Sequence, residues 1–358
     1  GVYIWRIFYK QFEPEQEGLR EALYTLANGY FGTRGAAPES VASQVHYPGT
    51  YIAGLYNKLT THIAGRTVTN EDLVNCPNWV FLTFRIGEGD WFCPSTSRVI
   101  SYYQELNMRR GILERKIIFQ DHQGKETFIH TSMLIHMKYP HIGAIKYVIT
   151  PLNYSDWITV GSMLDGSVLN TGVERYRKLN CKHWRPHNIG AWSKKGVFLS
   201  MITSQSNIEV AEASKLRIFV ENKEVKPAIE QVQKGKEIIG QEFKVFVKSN
   251  KPYEIEKTVS IYTSKDKGIK SPSKSAINST RTAPRFNRLA DSQKKEWERL
   301  WKNVDIKLNP DEEYVTIPVN VTDVIGNNRI SEIRYELKEE RFAPEFVSIE
   351  MYKSGEKV

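Results

Sequence analysis

The sequence predicts a mainly β protein: a large two-layer antiparallel β-sandwich, followed by a linker helix and a short β tail. Three observations carry this prediction. Apolar and polar residues alternate in many short runs, such as Val197, Leu199 and Met201 of "GVFLSMI", and this is the period of a half-buried strand. Turn signals such as "DHQGKE" separate the runs. The alternation of strands and helices that builds parallel sheets is not visible.

The strand pattern is densest between Ile117 and Thr263. Each run places one set of side chains on a single face, toward the expected core. We therefore place the sandwich in residues 1–263. The predicted inward sets are Ile129, Met133, Ile135 and Met137; Phe243, Val245 and Val247; and Tyr253, Ile255, Val259 and Ile261.

Beyond the sandwich the chain changes character. Residues 264–286 are rich in Lys, Ser and Pro, which is typical of a solvated linker. Apolar residues then fall at helical spacing in "RLADSQKKEWERLWKNVDI", and this predicts an exposed amphipathic helix over residues 285–304. We expect Trp297 and Trp301 on this helix to face a partner. In the absence of that partner they would fold back on the sandwich or drive self-association.

Composition narrows the classes of function. The 358 residues carry a net charge of +9, but no nucleic-acid motif accompanies the basic residues. No run approaches the roughly 18 apolar residues that cross a membrane. The three cysteines match no metal spacing. We therefore expect a cytoplasmic protein with reduced thiols and no nucleic-acid, membrane or metal partner. Because the chain begins with Gly1, we also expect a processed start or a piece of a longer gene product.

Six long sequence segments, called words below, resemble those of a known family. In chain order they are "NGYFGTRGAAPES", "YPGTYIAGLYN", "LVNCPNWVFLTFRIGEGDWF", "SYYQELNMRRGILER", "YVITPLNYSDWITVGSMLDGSVLNTGVERYR" and "EWERLWKNVDI". On these words the chain resembles the N-terminal domain of glycoside hydrolase family 65, which contains the maltose, trehalose and kojibiose phosphorylases. The resemblance covers most of residues 5–306.

The resemblance implies a chemistry that lies outside this sandwich. In the family a linker helix leads to an (α/α)6 barrel, where one Glu protonates the glycosidic oxygen and inorganic phosphate attacks the anomeric carbon with inversion. The chain stops resembling the family after Ile306, so no residue here inherits the catalytic role. We expect no cofactor, and phosphate only as co-substrate of the complete enzymes. The carboxylates Glu105, Glu114 and Asp165 are expected at the surface or in turns.

The stretch "NGYFGTRG" matches no phosphate-binding pattern, because Gly29, Gly32 and Gly35 are spaced G-x-x-G-x-x-G and no Lys follows. The resemblance implies that this stretch is an early strand and turn of the sandwich. It also implies a strand in "REALYTLANG", although the local propensity there is helical. We expect Gly29 and Gly32 to permit tight backbone geometry, and Arg34 to hold the turn by donating to carbonyl groups.

Sugar contact from the sandwich is a further expectation, since aromatic rings stack on the apolar faces of pyranoses. Most of the aromatic residues, including Trp79 and Trp91, are expected to serve burial. Tyr51, in a Pro-Gly-Thr-Tyr loop, is expected to face the missing barrel. The residues predicted to lie near carbohydrate are Asn28, Tyr30, Arg34 and Tyr51.

The rest of the chain divides into two parts. Residues 264–308 form the linker with its helix, and residues 309–358 form a β-rich tail. The tail resembles in part the first strands of a cohesin, with "LKEERFAPEF" in place of the expected turn. A module of that kind would dock a partner, and it would move the expected location outside the cell.

Three functions are open at this point. The first is the non-catalytic N-terminal domain of a family 65 phosphorylase or hydrolase, which supports a barrel acting on an α-linked glucose disaccharide and contacts the sugar. The second is a carbohydrate-binding or scaffold-docking module without catalysis. The third is a truncated gene product with no activity of its own. Whichever function holds, a homodimer is a further expectation.

Overall fold

The computed structural model describes residues 2–3, 5–63, 65–171 and 180–302, together with the backbone of four strands in the tail. It is mainly β, with antiparallel sheets, and the predicted β-sandwich is confirmed. Residues beyond 302 are described only by their strands, so the predicted division at residue 308 stays a prediction.

Twenty strands are described before the helices that follow the sandwich. They are β1 (Val2–Tyr3), β2 (Arg6–Tyr9), β3 (Leu26–Ala27), β4 (Phe31–Thr33), β5 (Thr50–Ile52), β6 (Tyr56–Ile63), β7 (Arg66–Leu73), β8 (Leu82–Ile86), β9 (Arg98–Asn107), β10 (Ile112–Gln120), β11 (Glu126–Ile135), β12 (Ile142–Pro151), β13 (Asp156–Asp165), β14 (Trp184–Ser193), β15 (Gly196–Thr203), β16 (Glu209–Val220), β17 (Lys223–Val225), β18 (Ile229–Lys234), β19 (Ile238–Val247) and β20 (Tyr253–Thr263). The described α-helices are α1 (Glu17–Leu23), α2 (Pro272–Thr282) and α3 (Phe286–Trp301).

Two sheets form the layers of the sandwich. The large sheet has the strand order β1-β2-β9-β10-β11-β12-β20-β16-β15-β14, with β17 paired to β16. The small sheet has the order β18-β19-β13-β8. Consecutive hairpins build β9 to β12, whereas β20 returns from the end of the sandwich to pair with both β12 and β16. There are two smaller sheets among the described residues before α2: β3-β4-β5, which holds part of the glycine-rich segment, and the hairpin β6-β7.

The core lies between the two main sheets, and the alternating pattern predicts it well. Side chains that were predicted to point inward are buried on β11, β15 and β20, and on the small sheet Ile158, Val160 and Phe243 close the core from the other side. Burying one such aliphatic or aromatic side chain contributes roughly 1.5–3 kcal/mol. Two members of the predicted sets differ: Val245 is only half-buried, and Met137 lies just beyond the end of β11.

Helices α2 and α3 pack on the outer face of the large sheet. Thr280 of α2 is buried and donates through Oγ1 to the carbonyl of Ala213 on β16, at 3.0 Å. Phe286 and Leu289 of α3 are buried with Leu134 of β11. The prediction of a solvated linker over residues 264–286 was therefore wrong, whereas the amphipathic helix predicted over residues 285–304 is present as α3, with its apolar face packed on the sandwich. Both segments bury apolar side chains against the sandwich, which outweighs the solvation of their charges.

Helix α1 contradicts the strand that the resemblance implied for "REALYTLANG". Residues Glu17–Leu23 are helical, and only Leu26–Ala27 form a strand. Arg, Glu, Ala and Leu are strong helix formers, and the helix aligns Glu17 and Glu21 four residues apart on one buried face. Local propensity and burial agree here, so the helix forms.

The glycines of "NGYFGTRG" permit the close geometry that was predicted for them. Gly29 has φ +87°, a conformation that few residues with a side chain adopt. An ideal Cβ on Gly32 would lie 3.2 Å from Cβ of Ala27. Gly35 is packed even more tightly, because its Cβ would lie 2.8 Å from the carbonyl oxygen of Tyr24. All three serve the scaffold.

The three carboxylates expected at the surface or in turns have different surroundings. Glu105 is buried, and it accepts a hydrogen bond from the Tyr103 hydroxyl at 2.5 Å, so the expectation was wrong for this residue. Glu105 shares one face of β9 with Tyr103, and the donor hydroxyl of Tyr103 offsets the cost of its burial. Glu114 is half-buried on β10. Asp165 does hold a turn, since its Oδ1 accepts from the backbone N–H of Ser167 at 2.8 Å.

The tail contains one further sheet. Its strands are β21 (Tyr314–Thr322), β22 (Asn328–Glu340), β23 (Ala343–Lys353) and β24 (Glu356–Lys357), paired in that order. They agree with the β-rich character predicted for residues 309–358. The cohesin resemblance stays a prediction, because residues 341–342 of "LKEERFAPEF" lie outside the described residues.

Candidate functional site

Arg34 ties three segments of the chain together just after β4. Its Nε donates to the carbonyl of Tyr47 at 2.9 Å, and its terminal nitrogen donates to the carbonyl of Gly18 at 2.8 Å. The same nitrogen lies 3.6 Å from a carboxylate oxygen of Glu21. The prediction that Arg34 holds the turn by donating to carbonyl groups is confirmed. Its proximity to carbohydrate stays a prediction.

Tyr51 lies beside Arg34 and belongs to strand β5, not to a loop as predicted. An ideal Cβ on Gly49 would lie 2.9 Å from Cδ of Arg34 and 3.0 Å from the Tyr51 ring, so only Gly leaves room for both side chains. Burial, with the neighbouring Tyr47 hydroxyl, raises the pKa of Tyr51. Tyr51 is therefore a neutral hydroxyl group at physiological pH. The Arg34 guanidinium lies 5.5 Å from the centre of the Tyr47 ring.

Asn75 and Asn170 connect two more sequence segments to the surroundings of Arg34 and Tyr51. The Asn75 side chain accepts from the backbone N–H of Thr50 at 3.1 Å, and it donates to the carbonyl of Leu169 at 3.3 Å. The Asn170 side chain accepts from the backbone N–H of Asn75 at 2.9 Å. Indole Nε1 of Trp184 donates to the Asn75 carbonyl at 2.7 Å. The words "YPGTY", "LVNCPNW" and "LDGSVLNTG" thus converge on one cluster.

We call Arg34, Tyr47, Tyr51, Asn75 and Asn170 the motif cluster. Sequence reasoning found two of its members and missed the other three. The available signal was the recurrence of Asn beside Cys, Pro, Thr and Gly in these words, which marks turns. The amides of Asn75 and Asn170 are held by backbone groups. The cluster therefore offers the Arg34 guanidinium and the rings and hydroxyl groups of Tyr47 and Tyr51, a set suited to binding a polar partner surface or a sugar.

Asn28 and Tyr30 have different partners from the motif cluster. The Asn28 amide donates to the carbonyls of His136 and Pro140 at 2.9 and 2.8 Å, so this side chain is used by the scaffold. The Tyr30 hydroxyl donates to Oδ2 of Asp266 at 2.7 Å, and its ring lies 4.3 Å from that of His141. Their predicted role near carbohydrate is not supported by any free polar group, and it stays a prediction.

A buried charged network lies under Arg34. Among the described residues, Glu17, Glu21 and His46 bring potential metal ligands within 4.8 Å of one another. Nδ1 of His46 is 2.8 Å from Oε1 of Glu21. Arg20 lies 3.5 Å from Glu17, and Arg34 contacts Glu21. Because these guanidinium groups already balance the carboxylates, we interpret the network as ion pairs that fix α1, not as a metal centre.

Trp297 and Trp301 fold back on the sandwich, which is one of the two outcomes expected for them. Their rings stack at 5.3 Å, and the Trp301 ring lies 4.7 Å from that of Trp5. The backbone of Gly111, with φ +60°, passes under Trp297, where an ideal Cβ would lie 2.7 Å from Cε2 of the indole and closer still to Nε1. Both rings are half-buried. A role in facing a partner stays a prediction.

His136 fastens α3 to the sandwich and makes the fold sensitive to acid. Its side chain is buried, Nδ1 accepts from the backbone N–H groups of Lys138 and Tyr139 at 3.0 Å, and Nε2 contacts Oγ of Ser292 at 2.6 Å. Since Ser292 donates to the carbonyl of Leu289, its oxygen accepts from Nε2. This arrangement needs the neutral imidazole, and burial lowers the pKa of His136 to about 4.

We therefore expect the free energy of unfolding to fall as the pH falls from about 6.5 to 4. The unfolded state, with an ordinary His pKa near 6.5, binds the proton first, and the loss reaches roughly 3 kcal/mol. Urea unfolding at pH 7 and pH 4.5 measures it. The variant His136→Asn keeps an acceptor without the titration and should lose less stability in acid. The control His187→Asn, at an exposed position, should behave like the parent; an equal loss in His136→Asn would contradict the assignment.

Comparison with known proteins gives one family match. The model for "Glycosyl hydrolase family 65, N-terminal domain" matches residues 7–300. An uncharacterized glycosyl hydrolase of Mycobacterium tuberculosis is 38% identical over 304 residues, which cover 85% of this chain and 23% of that protein. The kojibiose phosphorylase of Thermoanaerobacter brockii is 28% identical over 319 residues, 86% of this chain and 39% of the relative.

Two further matches agree with these. The trehalose 6-phosphate phosphorylase of Lactococcus lactis is 30% identical over 310 residues, 85% of this chain and 38% of the relative. A solved structure described as a candidate kojibiose phosphorylase from the human microbiome aligns with a TM-score of 0.74 at 18% identity, over 85% of this chain and 39% of that one. The chain thus spans well under half the length of these relatives. Among the described helices, none is long and apolar enough to cross a membrane.

Proposed function

We propose a function from one premise: the chain belongs to glycosyl hydrolase family 65, whose N-terminal domain matches residues 7–300. In this proposal the sandwich is the non-catalytic N-terminal domain of a disaccharide phosphorylase that acts on α-linked glucose. A separate catalytic domain supplies the chemistry, with inorganic phosphate as co-substrate. The family match carries the proposal, and relatives named as kojibiose and trehalose 6-phosphate phosphorylases support the substrate class.

The motif cluster is our candidate for the surface that supports the catalytic domain. Its side chains are held in place by one another and by backbone groups, so little conformational entropy is lost when a partner covers them. Tyr47 and Tyr51 supply aromatic contact area, and Arg34 supplies a partly exposed guanidinium. These residue types are enriched at the centres of interfaces. A sugar at the edge of the same surface would meet tyrosine hydroxyl and guanidinium groups.

A chimera tests this proposal. Residues 5–302 replace the N-terminal domain of the Thermoanaerobacter brockii kojibiose phosphorylase, and kojibiose phosphorolysis is measured. We expect the chimera to be active, and Tyr51→Ala within it to lower activity at least tenfold. The control Tyr56→Ala, at an exposed tyrosine on β6, should change little. Full activity of the phosphorylase without any N-terminal domain would contradict the proposed support.

Self-association is a second, smaller proposal. Trp157 and Phe246 are 40% and 43% exposed on the outer face of the small sheet, with ring centroids 5.5 Å apart. Ile229, also exposed, lies on the same face. Exposed apolar patches of this kind mark interaction surfaces. Sedimentation velocity of the parent and of Trp157→Lys would show whether this face forms a homodimer.

Two remaining proposals rest on narrower grounds. The cysteines Cys76, Cys93 and Cys181 are all free thiols, which supports a cytoplasmic location. Docking of a partner by the tail rests on the cohesin resemblance alone. Labelling of all three thiols after purification without reductant addresses the first, and capture of a dockerin by the chain addresses the second.

A further inference from the structure

We propose that the cleft beside Trp91 binds a neutral α-gluco-oligosaccharide, at a site separate from the motif cluster. The proposal goes beyond support of a catalytic domain, although the choice of an α-linked glucan rests on the proposed function. The cleft lies between the end of β8, the loop that follows it, and the turn from β10 to β11. Its volume is about 630 Å³, which falls within the usual range of small-molecule sites.

The floor of the cleft is apolar and firmly packed. Phe84, Phe92 and Phe119 line it and are at most 4% exposed. The Phe92 ring lies 4.3 Å from that of Phe119 and 5.7 Å from that of Phe84. Such a floor does not collapse when the cleft is empty, so a ligand meets a preformed surface.

Trp91 forms the wall of the cleft, and like Trp157 it is exposed. It is 37% exposed, whereas Trp79 and Trp184 are 0% and 3% exposed. A second cleft, of about 450 Å³, lies on its other side. Gly161 on β13 lets the indole lie against the sheet, since an ideal Cβ there would be 3.0 Å from the ring. A rigid, partly exposed indole is the kind of surface on which the apolar face of a pyranose stacks.

Polar groups around Trp91 match a ligand that carries hydroxyl groups and no charge. Two carboxylates, Asp90 and Asp121, and two guanidinium groups, Arg85 and Arg98, line the cleft, so its formal charges balance. A phosphate or nucleotide would need an excess of positive charge. Carboxylates accept and guanidinium groups donate, and a sugar hydroxyl does both. The lining therefore favours a neutral sugar.

Two of the polar side chains are free to bind such a ligand. Within the described part of the chain, no side-chain hydrogen bond engages the exposed Asp90 or His122. By contrast, Oδ1 of Asp121 accepts from the backbone N–H of Lys125 at 2.9 Å, and Arg98 donates to the Gln120 side chain at 2.7 Å. The bonded groups shape the cleft, and the free groups are left for sugar hydroxyls.

The experiment titrates the 358-residue chain with maltoheptaose, without phosphate or a catalytic domain, and follows the heat of binding. We expect saturable binding with a Kd on the order of 1 mM. Trp91→Ala should weaken it at least tenfold, and His122→Ala about threefold. The control is Tyr56→Ala, which removes an exposed aromatic ring of β6 outside the cleft and should leave the Kd unchanged.

Several results would overturn the proposal. They are the absence of saturable binding, an unchanged Kd in Trp91→Ala, or an equal loss in Tyr56→Ala. Binding of cellohexaose but not of maltoheptaose would overturn the α-linked ligand. Because Trp91 packs on the sheet, thermal unfolding of each variant is recorded, and the exposed His122 gives a readout that does not depend on packing. The chimera can be inactive while the chain still binds maltoheptaose, and the chimera can be active while the chain does not bind it. The two proposals are therefore tested separately.

Discussion

Supplied with kojibiose, maltose or trehalose and inorganic phosphate, the purified chain is expected to release no glucose 1-phosphate. Protonation of the leaving glycosidic oxygen requires an acid that holds its proton near neutral pH and also touches the sugar. Three described carboxyl groups have a pKa raised chiefly by burial, namely Glu17, Glu212 and Glu256. They are the groups to consider for this role.

None of these three described carboxyl groups is accessible to a sugar, because each is at most 3% exposed. Glu256 is paired with Arg285 at 3.0 Å on the outer face of the large sheet. Glu212 lies in the core, where Lys257 is the nearby opposite charge. The burial that raises the pKa of these carboxyl groups also keeps a sugar from reaching them.

The expected loss of rate is large. Removal of a positioned general acid typically costs 10²–10⁴-fold. Loss of the alignment between phosphate and the anomeric carbon removes an advantage of roughly 7–11 kcal/mol. In our proposal both belong to the catalytic domain. The rate of the chain alone should therefore be indistinguishable from that of a heat-inactivated preparation.

The measurement is glucose 1-phosphate release on all three disaccharides, with the Thermoanaerobacter brockii kojibiose phosphorylase as a positive control. A contaminating phosphorylase would give activity that repeated chromatography separates from the chain. Turnover that stays with the chain and that Asp90→Asn abolishes would instead place a catalytic site in the Trp91 cleft. That result would contradict the non-catalytic assignment.

The sandwich was predictable because its information is local. A side chain on every second position must point to the same side of a strand, and Val197, Leu199 and Met201 are buried as this rule requires. The same rule places Lys257 inward, between Ile255 and Val259. Lys257 is indeed buried, it donates to the carbonyls of Phe81 and Met163, and burial lowers its pKa to about 7. The pattern held even where the residue type argued against it.

Helix α2 shows a signal that was present but not used. Ser271 accepts from the backbone N–H of Lys274, and Pro272 occupies the first turn. Ser followed by Pro is a common start of a helix. The Lys and Ser content of the segment favoured a linker, yet Ala276 and Thr280 lie on one face and are buried. The average composition of a segment does not reveal a buried helix face of this kind.

The motif cluster depended on contacts that no local pattern contains. Arg34 could be expected to donate to nearby carbonyls, because its partner Tyr47 is only 13 residues away. Asn75 and Asn170 are 95 residues apart, and they meet only because the whole sandwich has folded. The family resemblance identified the sequence segments, but it did not show which of their side chains are in contact.

The segment "GAAPES" contains the glutamate of a buried ion pair. We expect the loss of this pair to have the largest effect on stability. Glu39, in this word, accepts from Arg115 at 2.5 Å and from the Tyr147 hydroxyl at 2.5 Å. The side chains of Glu39 and Arg115 are 0% and 2% exposed. Three segments that are far apart in sequence, on β10, on β12 and before β5, meet at this carboxylate. Two guanidinium nitrogens of Arg115 have no described partner, so the pair depends on a single contact.

Glu39→Gln should lower the free energy of unfolding by about 3–5 kcal/mol, because it leaves Arg115 charged and uncompensated in the core. Urea unfolding at pH 7 measures the loss. The control is Glu224→Gln, which breaks a pair of the same 2.5 Å separation with Lys195 at a site where both side chains are 35–40% exposed; it should cost at most about 1 kcal/mol. Replacing both core partners, as Glu39→Leu with Arg115→Met, should cost less than Glu39→Gln alone, since no buried charge is then left over. If Glu39→Gln costs no more than Glu224→Gln, the carboxylate is not compensating Arg115, and the role assigned to "GAAPES" is wrong.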